Sequence, residues 1–154
     1  PLYQRMKIRL LAVGRMKASP QAELCAEYLK RMNWTVTITE IDTPKGATSA
    51  QEEPHILKAI PDNACLIALD ERGQTLSSPE LATKLEKLAA SAPQNELYVL
   101  IGGADGLTDA IRKKARFLIS FGKQTWPHML VRVMLLEQIY RAQQILAGHP
   151  YHRA

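Results

Sequence analysis

The sequence predicts an α/β fold: a single domain with a mainly parallel sheet. Short apolar or β-branched runs alternate with helix-spaced segments along the 154 residues, as in parallel sheets connected by crossover helices. The fourth run, 97–101, is nearly all apolar, as expected for a central strand covered on both faces. No repeat, low-complexity tract or linker divides the chain, so we expect one domain over 6–154.

Runs of apolar and β-branched residues mark the strands. The five predicted strands are 6–13, 36–41, 65–69, 97–101 and 117–121. The first helix begins at Ser19 and Pro20, and we expect Leu24, Tyr28 and Leu29 to share its face.

The segment between the second and third strands carries conflicting signals. Residues 42–50 have the small and polar composition of a loop, whereas Ser49 and Glu52 have capping-box spacing. Pro54 limits this second helix to a late or kinked start before 55–60.

Start signals also mark the helices that follow the third and fourth strands. The first of them opens at 78–80 with Ser-Pro-Glu. Its predicted apolar side consists of Leu81, Leu85 and Leu88. Thr108 is expected to cap the helix after the fourth strand.

The last helix is predicted over 130–147 and ends at Gly148. It is apolar around more of its circumference than one face of a monomer needs, so we expect it to pack against a second subunit as well. Its apolar residues are Leu130, Val131, Val133, Met134, Leu135, Leu136, Ile139, Ile145 and Leu146.

Composition excludes several classes of protein. Lys+Arg 20 against Asp+Glu 15 gives a net charge of +5, which suits a polyanionic partner without defining one. Cys25 and Cys65 lie outside any C-x-x-C pattern, so we expect neither a zinc site nor a disulfide framework, and a cytoplasmic location fits best. No stretch approaches the roughly 20 apolar residues of a membrane span. Residues 1–5 precede the first strand and are interpreted as a cloning remnant or an alternative start.

Three strand ends are candidate binding sites, because ligands of parallel sheets bind at the carboxyl ends of strands. These are 69–73, 101–106 and 121–127. Gly102 and Gly103 would let a ligand reach the backbone, although the spacing alone favours the simpler explanation, a tight strand-to-helix turn. A dinucleotide fingerprint is rejected, because the G-x-G-x-x-G spacing is absent and the glycines follow the fourth strand instead of the first.

Charged residues outside the glycine turn have simpler explanations. Asp70 and Glu71 are interpreted as solvated turn residues and as weak acid–base candidates. Glu137 and Arg141 have the i,i+4 spacing of a helix ion pair, with phosphate or base contact as the functional alternative for Arg141.

The tail at 149–153 is the last candidate site. His149 and His152 are half a metal site at most, so no metal is expected. The imidazoles, Tyr151 and Arg153 suit stacking and hydrogen bonding to RNA, and a disordered terminus is the alternative.

Several segments taken together resemble one family, the pseudouridine N3-methyltransferases of large-subunit ribosomal RNA, small members of the SPOUT superfamily. The likeness covers nearly the whole chain from Met6. The segments that carry it are MKIRLLAVG (6–14), ALDERG (68–73), IGGADGL (101–107), TWPHMLVRVMLLEQIYRA (125–142) and HPYHR (149–153).

The resemblance implies a fold and a site that periodicity does not show. It implies a C-terminal deep trefoil knot, a homodimer, and S-adenosyl-L-methionine bound in the knot. The implied cofactor contacts are Leu69, Gly102, Gly122, Lys123, Gln124, Thr125, Trp126 and Pro127. The implied substrate-side and catalytic residues are Arg141, Tyr151 and His152.

The implied reaction is methylation of N3 of a pseudouridine in 23S ribosomal RNA. Because a net charge of +5 without a long basic tract gives limited means of binding naked RNA, we predict the assembled ribosome as the substrate. A sulfonium methyl carbon is already electrophilic, so positioning is expected to supply most of the rate. We expect His152, or a water held near Arg141, to assist loss of the N3 proton. The alternatives are a non-catalytic RNA-binding ribosome assembly factor with the same fold, and an enzyme that uses a nicotinamide or another nucleotide.

The segment 42–54 departs from the family pattern. It is shorter than in many relatives and contains Pro54, a departure that concerns the surface facing the ribosome more than the cofactor pocket.

Overall fold

A five-stranded parallel sheet forms the centre of the computed structural model, which describes residues 5–153. The strands are β1 Lys7–Val13, β2 Thr35–Ile41, β3 Cys65–Gln74, β4 Glu96–Ile101 and β5 Phe117–Ile119. The helices are α1 Pro20–Arg31, α2 Ser49–Ala59, α3 Ser78–Ser91, α4 Asp109–Lys114 and α5 His128–Leu146, with a 3₁₀ turn at Pro93–Asn95. The strand order is β2-β1-β4-β3-β5 and every pairing is parallel, which confirms the predicted fold class.

Helices cover both faces of the sheet and create two apolar layers. On one face, residues of α1, α3 and α5 pack on inward-facing strand residues such as Ile8, Ile67 and Val99. On the other face, α2 and α4 contribute Ile56 and Ile111 to a smaller cluster. The alternating strand residues of β1, β3 and β4 thus enter different layers, which explains why β4 is apolar on both sides.

Helix α3 agrees with its predicted pattern. Leu81, Leu85 and Leu88 are buried, and Ser77 caps the helix in a capping box with Glu80. Thr108 also caps α4 as expected, since its side chain accepts a hydrogen bond from the Ile111 amide.

The predicted face of α1 is wrong at one position. Leu24 is 46% exposed, whereas Cys25 is buried. Tyr28 and Leu29 pack against the core from positions three and four residues beyond Cys25, so the face that α1 buries is rotated by one residue.

The start of α2 also differs from the prediction. Thr48 caps the helix and forms the capping box with Gln51, so the helix begins at Ser49 and runs through Pro54. Proline in the second turn removes one backbone hydrogen bond without ending a helix whose cap and buried face stabilise it. Glu52 is therefore free of any capping role and lies buried.

The end of β3 is longer than predicted, and β5 is shorter. Ile119 pairs with both Leu69 and Gln74, so residues 70–73 leave the ladder and the chain then returns to it. A Cβ on Gly73 would lie 2.6 Å from the Ile119 carbonyl carbon, so only glycine allows this close crossing. β5 ends at Ile119, two residues early, because the chain turns away after the Ser120 amide donates to the Gln74 carbonyl (2.9 Å).

Helix α5 begins at His128, two residues before the predicted start, and ends before Gly148 as expected. Its apolar residues are divided between buried and half-buried positions. Val133, Leu135, Leu136 and Ile139 are buried, whereas Leu130, Val131, Met134, Ile145 and Leu146 are half-buried. The second subunit that we expect against this helix stays a prediction, as does the trefoil knot.

Residues 1–4 and 154 lie outside the described residues, so the interpretation of 1–5 falls almost wholly beyond them. Within the described part of the chain, no helix combines the length and apolarity needed to cross a membrane.

Candidate active site

A cleft with a volume of about 470 Å³ lies at the carboxyl ends of β3, β4 and β5. This volume falls within the range of about 300–1,000 Å³ that is usual for small-molecule sites. The three candidate strand ends of the sequence therefore meet in one place, and the start of α5 closes the cleft through His128 and Val131.

Most of the predicted cofactor contacts line this cleft. The predicted contacts that line it are Leu69, Gly102, Gly122, Gln124, Thr125 and Trp126. Lys123 and Pro127 lie in the same loop but are not among the lining residues of the described chain.

The glycine turn after β4 is both a tight turn and a wall of the cleft. The Gly106 amide donates to the Gly103 carbonyl (3.1 Å), which closes the turn. Residues 101–107 all line the cleft, so the same turn forms part of its wall. The two explanations that the sequence left open are therefore compatible.

The first turns of α2 hold this glycine turn from behind. The Ser49 amide donates to Asp105 Oδ2 (2.7 Å), and the Thr108 hydroxyl donates to Glu53 Oε1 (2.5 Å). Between these two contacts, the Glu52 carboxyl lies so close to Gly103 that a Cβ there would be 2.1 Å from Oε2. Glycine at 103 is thus required by a carboxylate of another element.

Glu52 is a buried carboxyl without full compensation. Its side chain is 4% exposed, and Oε1 has no hydrogen-bond partner among the described residues. Burial raises the pKa of Glu52, and the charge of Asp105 adds to the rise. The Gly103 amide and the His128 imidazole act in the opposite direction.

The loop after β5 forms the outer wall of the cleft. The Ser120 hydroxyl accepts from the Gly122 amide (3.1 Å), and the Trp126 indole N–H donates to the Phe121 carbonyl (3.2 Å). These contacts fold the loop back on itself and leave the large Trp126 ring 38% exposed at the edge of the cleft. An apolar ring in this position can cover a ligand and exclude water.

Asp70 corrects the sequence interpretation, because it is not a solvated turn residue. Its side chain is 4% exposed and accepts from Arg112 Nε (2.8 Å) and from the Arg72 amide (2.8 Å). The hydrogen bond that Arg112 donates to Asp70 raises the pKa of Arg112, and Asp109 adds a second carboxylate. Glu71 is exposed, as expected.

Two residues that sequence reasoning missed fix the start of α5. His128 Nε2 donates to the Val13 carbonyl (2.9 Å), and Arg132, 3% exposed, pairs with Glu40 Oε2 at 2.6 Å. Burial acts to raise the pKa of Glu40, but Arg132, the Met16 amide and Arg15 together outweigh burial and lower it. The signal that could have identified Arg132 is a lone cation in the otherwise apolar run 129–136.

The predicted substrate-side residues cluster at the other end of α5. Arg141 donates to both oxygens of Glu137 (3.1 and 2.8 Å), and the Tyr151 hydroxyl donates to Glu137 Oε2 (2.7 Å). The Arg141 guanidinium also lies 4.8 Å from the Tyr151 ring centroid, and Tyr140 packs edge-on against that ring. The expected ion pair is therefore confirmed, and it orders the tail.

Contacts within the tail cluster shift the pKa values of Glu137 and Tyr151 in opposite directions. Burial acts to raise the pKa of Glu137, but the hydrogen bonds from Arg141 and Tyr151 outweigh it and lower the pKa. Burial and the bond to Glu137 raise the pKa of Tyr151 to about 12. Arg141 Nη1 donates to His152 Nδ1 (3.1 Å), so neutral His152 carries its proton on Nε2.

The two histidines of the tail do not face a common point through their Nδ1 atoms. His149 Nδ1 accepts from the Tyr151 amide (3.1 Å), whereas His152 Nδ1 accepts from Arg141. Within residues 5–153, no group of three or more His, Cys, Asp or Glu side chains is placed to hold a metal ion.

Within one chain, the structure does not bring the tail cluster to the cleft. Val131 lines the cleft, and Arg141 lies ten residues further along α5. Ten helical residues span about 15 Å. A small ligand in the cleft of one chain therefore lies far from the tail cluster of that chain.

Loss of Arg112 should expose the cost of the buried Asp70 charge. We expect Arg112→Met to lower the free energy of unfolding by about 2–3 kcal/mol, because it leaves a buried carboxylate unpaired. Urea denaturation measures this loss. The matched control is the double variant Asp70→Asn/Arg112→Met, which should recover more than half of it. Equal losses in the two variants would contradict the assignment.

Removal of the Glu52 charge should stabilise the fold at high pH. Because the folded-state pKa of Glu52 is raised, its ionisation opposes folding above the ordinary carboxyl range. We expect Glu52→Gln to raise Tm by roughly 2–4 °C at about pH 8 and by less at about pH 4. Thermal unfolding at the two pH values measures this. A decrease in Tm at the higher pH would contradict this expectation, because it would show that neighbouring groups fully stabilise the ionised carboxylate.

Alkaline titration should reveal the tail cluster. Tyr151 should ionise near 12, so its neutral form stabilises the folded state below about 10, and this contribution is lost as pH rises through about 12. Ultraviolet titration of phenolates should show one late-ionising tyrosine that disappears in Tyr151→Phe. In Glu137→Gln, this tyrosine should ionise earlier. If it persists unchanged in both variants, the late ionisation belongs to another residue.

The chain is similar in sequence to known methyltransferases. The sequence model described as a predicted SPOUT methyltransferase matches residues 6–152. The chain is 48% identical to a ribosomal RNA large subunit methyltransferase H from Rhodospirillum centenum, over 97% of this chain and 100% of the relative. Proteins of the same name from Dinoroseobacter shibae and Paracoccus denitrificans are each 46% identical, over 96% of this chain and 99% of the relative.

A solved structure supports the fold independently. A probable methylase family protein from Haemophilus influenzae Rd KW20 superposes with a TM-score of 0.57, over 93% of this chain and 67% of that chain. At 15% sequence identity this likeness shows the fold alone. Family model, close relatives and fold agree, and the chain belongs to the SPOUT methyltransferase family.

Proposed function

We propose that this protein transfers a methyl group from S-adenosyl-L-methionine to N3 of a pseudouridine in large-subunit ribosomal RNA. The observation that carries the proposal is the single cleft that the ends of β3, β4 and β5 line together. The names of the relatives, ribosomal RNA large subunit methyltransferase H, support the RNA class of the substrate. A ribosomal substrate also supports a cytoplasmic location.

The cleft residues fit the proposed cofactor. Backbone N–H and C=O groups at 101–107 can pair with an adenine edge, and Leu69, Ile101 and Leu107 can cover its faces. Carboxylates at Glu71 and Asp105 line the same cleft and suit a ligand that carries positive charge, whereas Asp70 is paired with Arg112. When bound, the cofactor supplies an electrophilic methyl carbon on a sulfonium.

The chain's own task is to position and shield this methyl group. The Gly102–Gly106 backbone is held by α2, and the 120–126 loop is held by its own hydrogen bonds, so the two walls are set before the ligand binds. Trp126 at the edge can exclude water.

The target base is proposed to arrive with the tail of a second copy of the chain. Arg141 lies about 15 Å along α5 from Val131, and none of Arg141, Tyr151 and His152 lines the cleft of its own chain. The half-buried apolar residues of α5 supply a surface for a second subunit. A homodimer would therefore complete each site with residues of the opposite copy.

The hydrogen bonds of the tail modify the expected proton acceptor. His152 Nδ1 is occupied by Arg141, and Nε2 carries the proton, so His152 in this arrangement has no free lone pair. We therefore propose that His152 donates from Nε2 to a carbonyl of the base, and that Arg141 stabilises the anion that develops. The N3 proton would leave to water while Arg141 and His152 hold the base in place.

The assembled ribosome is the proposed substrate. A net charge of +5 gives limited attraction for naked RNA, so recognition of shape and of ribosomal proteins must add to it. The direct test incubates the protein with labelled S-adenosyl-L-methionine and undermethylated ribosomes, and maps the modified nucleotide by mass. Cofactor binding without transfer would identify an RNA-binding assembly factor. Protection against heat by a nicotinamide dinucleotide alone would identify another enzyme.

Mixed dimers should test the composite site. Gly102→Leu should block the cleft, and Arg141→Ala should disable the tail, so each homodimer should lose at least about 90% of its activity. Coexpression of the two variants should restore about a quarter of wild-type activity, because half of the dimers carry one intact site. Binding of S-adenosyl-L-methionine by Arg141→Ala serves as the control. The composite site is wrong if mixing restores nothing while both variants dimerise.

A further inference from the structure

Glu52 stands out among the buried groups because the proposed reaction gives it no task. It is only 4% exposed, and it does not cap a helix. One of its carboxyl oxygens has no hydrogen-bond partner within the described chain. Proteins rarely keep a buried carboxyl in this condition, since leaving it without a partner costs stability. The position of the carboxyl therefore needs an explanation.

The carboxyl lies immediately behind the wall of the cleft. Both of its oxygens and its Cδ fall within 2.7 Å of where a Gly103 Cβ would be, so the group lies flat against the Gly103 Cα. Gly103 itself lines the cleft. A single thickness of backbone, without any side chain, separates the negative charge from a ligand.

The surroundings leave this charge only partly balanced. From α5, His128 faces Glu52 and favours its ionised form, and the Gly103 amide acts in the same direction. From the glycine turn, Asp105 adds a second negative charge. The Arg112 guanidinium, which also lines the cleft, is already engaged by Asp70 and Asp109. A cation in the cleft would therefore lower the electrostatic cost of an ionised Glu52.

We propose that Glu52 is a positioning and specificity residue whose buried charge makes the cleft prefer the cationic methyl donor over its neutral thioether product. The proposal rests on the proposed function, because it concerns the same cofactor. The donor and the product differ by one methyl group and by the positive charge on sulfur. A negative charge behind Gly103 attracts the first and has little effect on the second, so the same pocket retains the donor and releases the product.

The test measures binding, not turnover. Calorimetry at about pH 8 gives Kd for S-adenosyl-L-methionine and for S-adenosyl-L-homocysteine with the full chain, wild type and Glu52→Gln. Glutamine keeps the shape and an acceptor oxygen but removes the charge. We expect the donor Kd to rise roughly three- to tenfold and the product Kd to change less than about twofold. For each protein we take the ratio of the donor Kd to the product Kd. Comparing this ratio between wild type and Glu52→Gln cancels effects of shape that both ligands share.

Glu53→Gln is the matched control. It makes the same chemical change one residue along α2, on a carboxyl that contacts Thr108 instead of Gly103. We expect its donor-to-product ratio to stay within about twofold of wild type. If Glu52→Gln weakens the binding of both ligands equally, or of neither, Glu52 does not distinguish the charges of the two ligands and the inference is overturned. If wild-type protein binds neither ligand, the proposed function fails as well, and the two failures are thus distinguished.

Discussion

The close crossing of the β3 extension over β5 is the constraint on which the cleft depends. Residues 70–73 leave the ladder after Leu69 and return at Gln74, and the absent side chain of Gly73 lets two backbones approach to contact distance. The strand order places β3 and β5 on one side of β4, and the crossing holds the chain after β3 against the backbone of β5. Any larger residue at position 73 would separate the two strands and remove one wall of the site.

Two of three carboxylates near the cleft are paired with arginines, and the third is not. Asp70 is neutralised by Arg112, and Glu40 by Arg132, so these carboxylates fix the chain in place. Glu52 is different, because its oxygen lacks a partner and it lies behind backbone that a ligand would touch. Buried ion pairs contribute little net stability, whereas an uncompensated charge lowers it, so a role in ligand binding accounts for Glu52 better than a role in folding.

Helix α5 connects two chemically distinct regions of the molecule. Its first turns carry His128 and Arg132, which fasten it to the ends of β1 and β2 beside the cleft. Its last turns carry Glu137 and Arg141, which hold the tail. Since the helix is rigid, the distance between the cleft and the tail cluster is fixed within one chain, which is why the proposed function requires a second copy. Two copies related by symmetry would bring unlike ends together.

The sequence by itself determined the α/β class, the five strands and most helix starts, because these depend on local periodicity and capping. It also located the three strand ends that line the cleft, since parallel strands expose their carboxyl ends at one edge of the sheet. The expected substrate-side role of Arg141, Tyr151 and His152 came from family resemblance and not from local pattern. Only the tertiary structure decided that Asp70 is buried, that Gly103 faces Glu52, and that His152 accepts from Arg141. Each of these contacts joins residues from different elements or from beyond the end of a helix, and no local pattern encodes such an encounter.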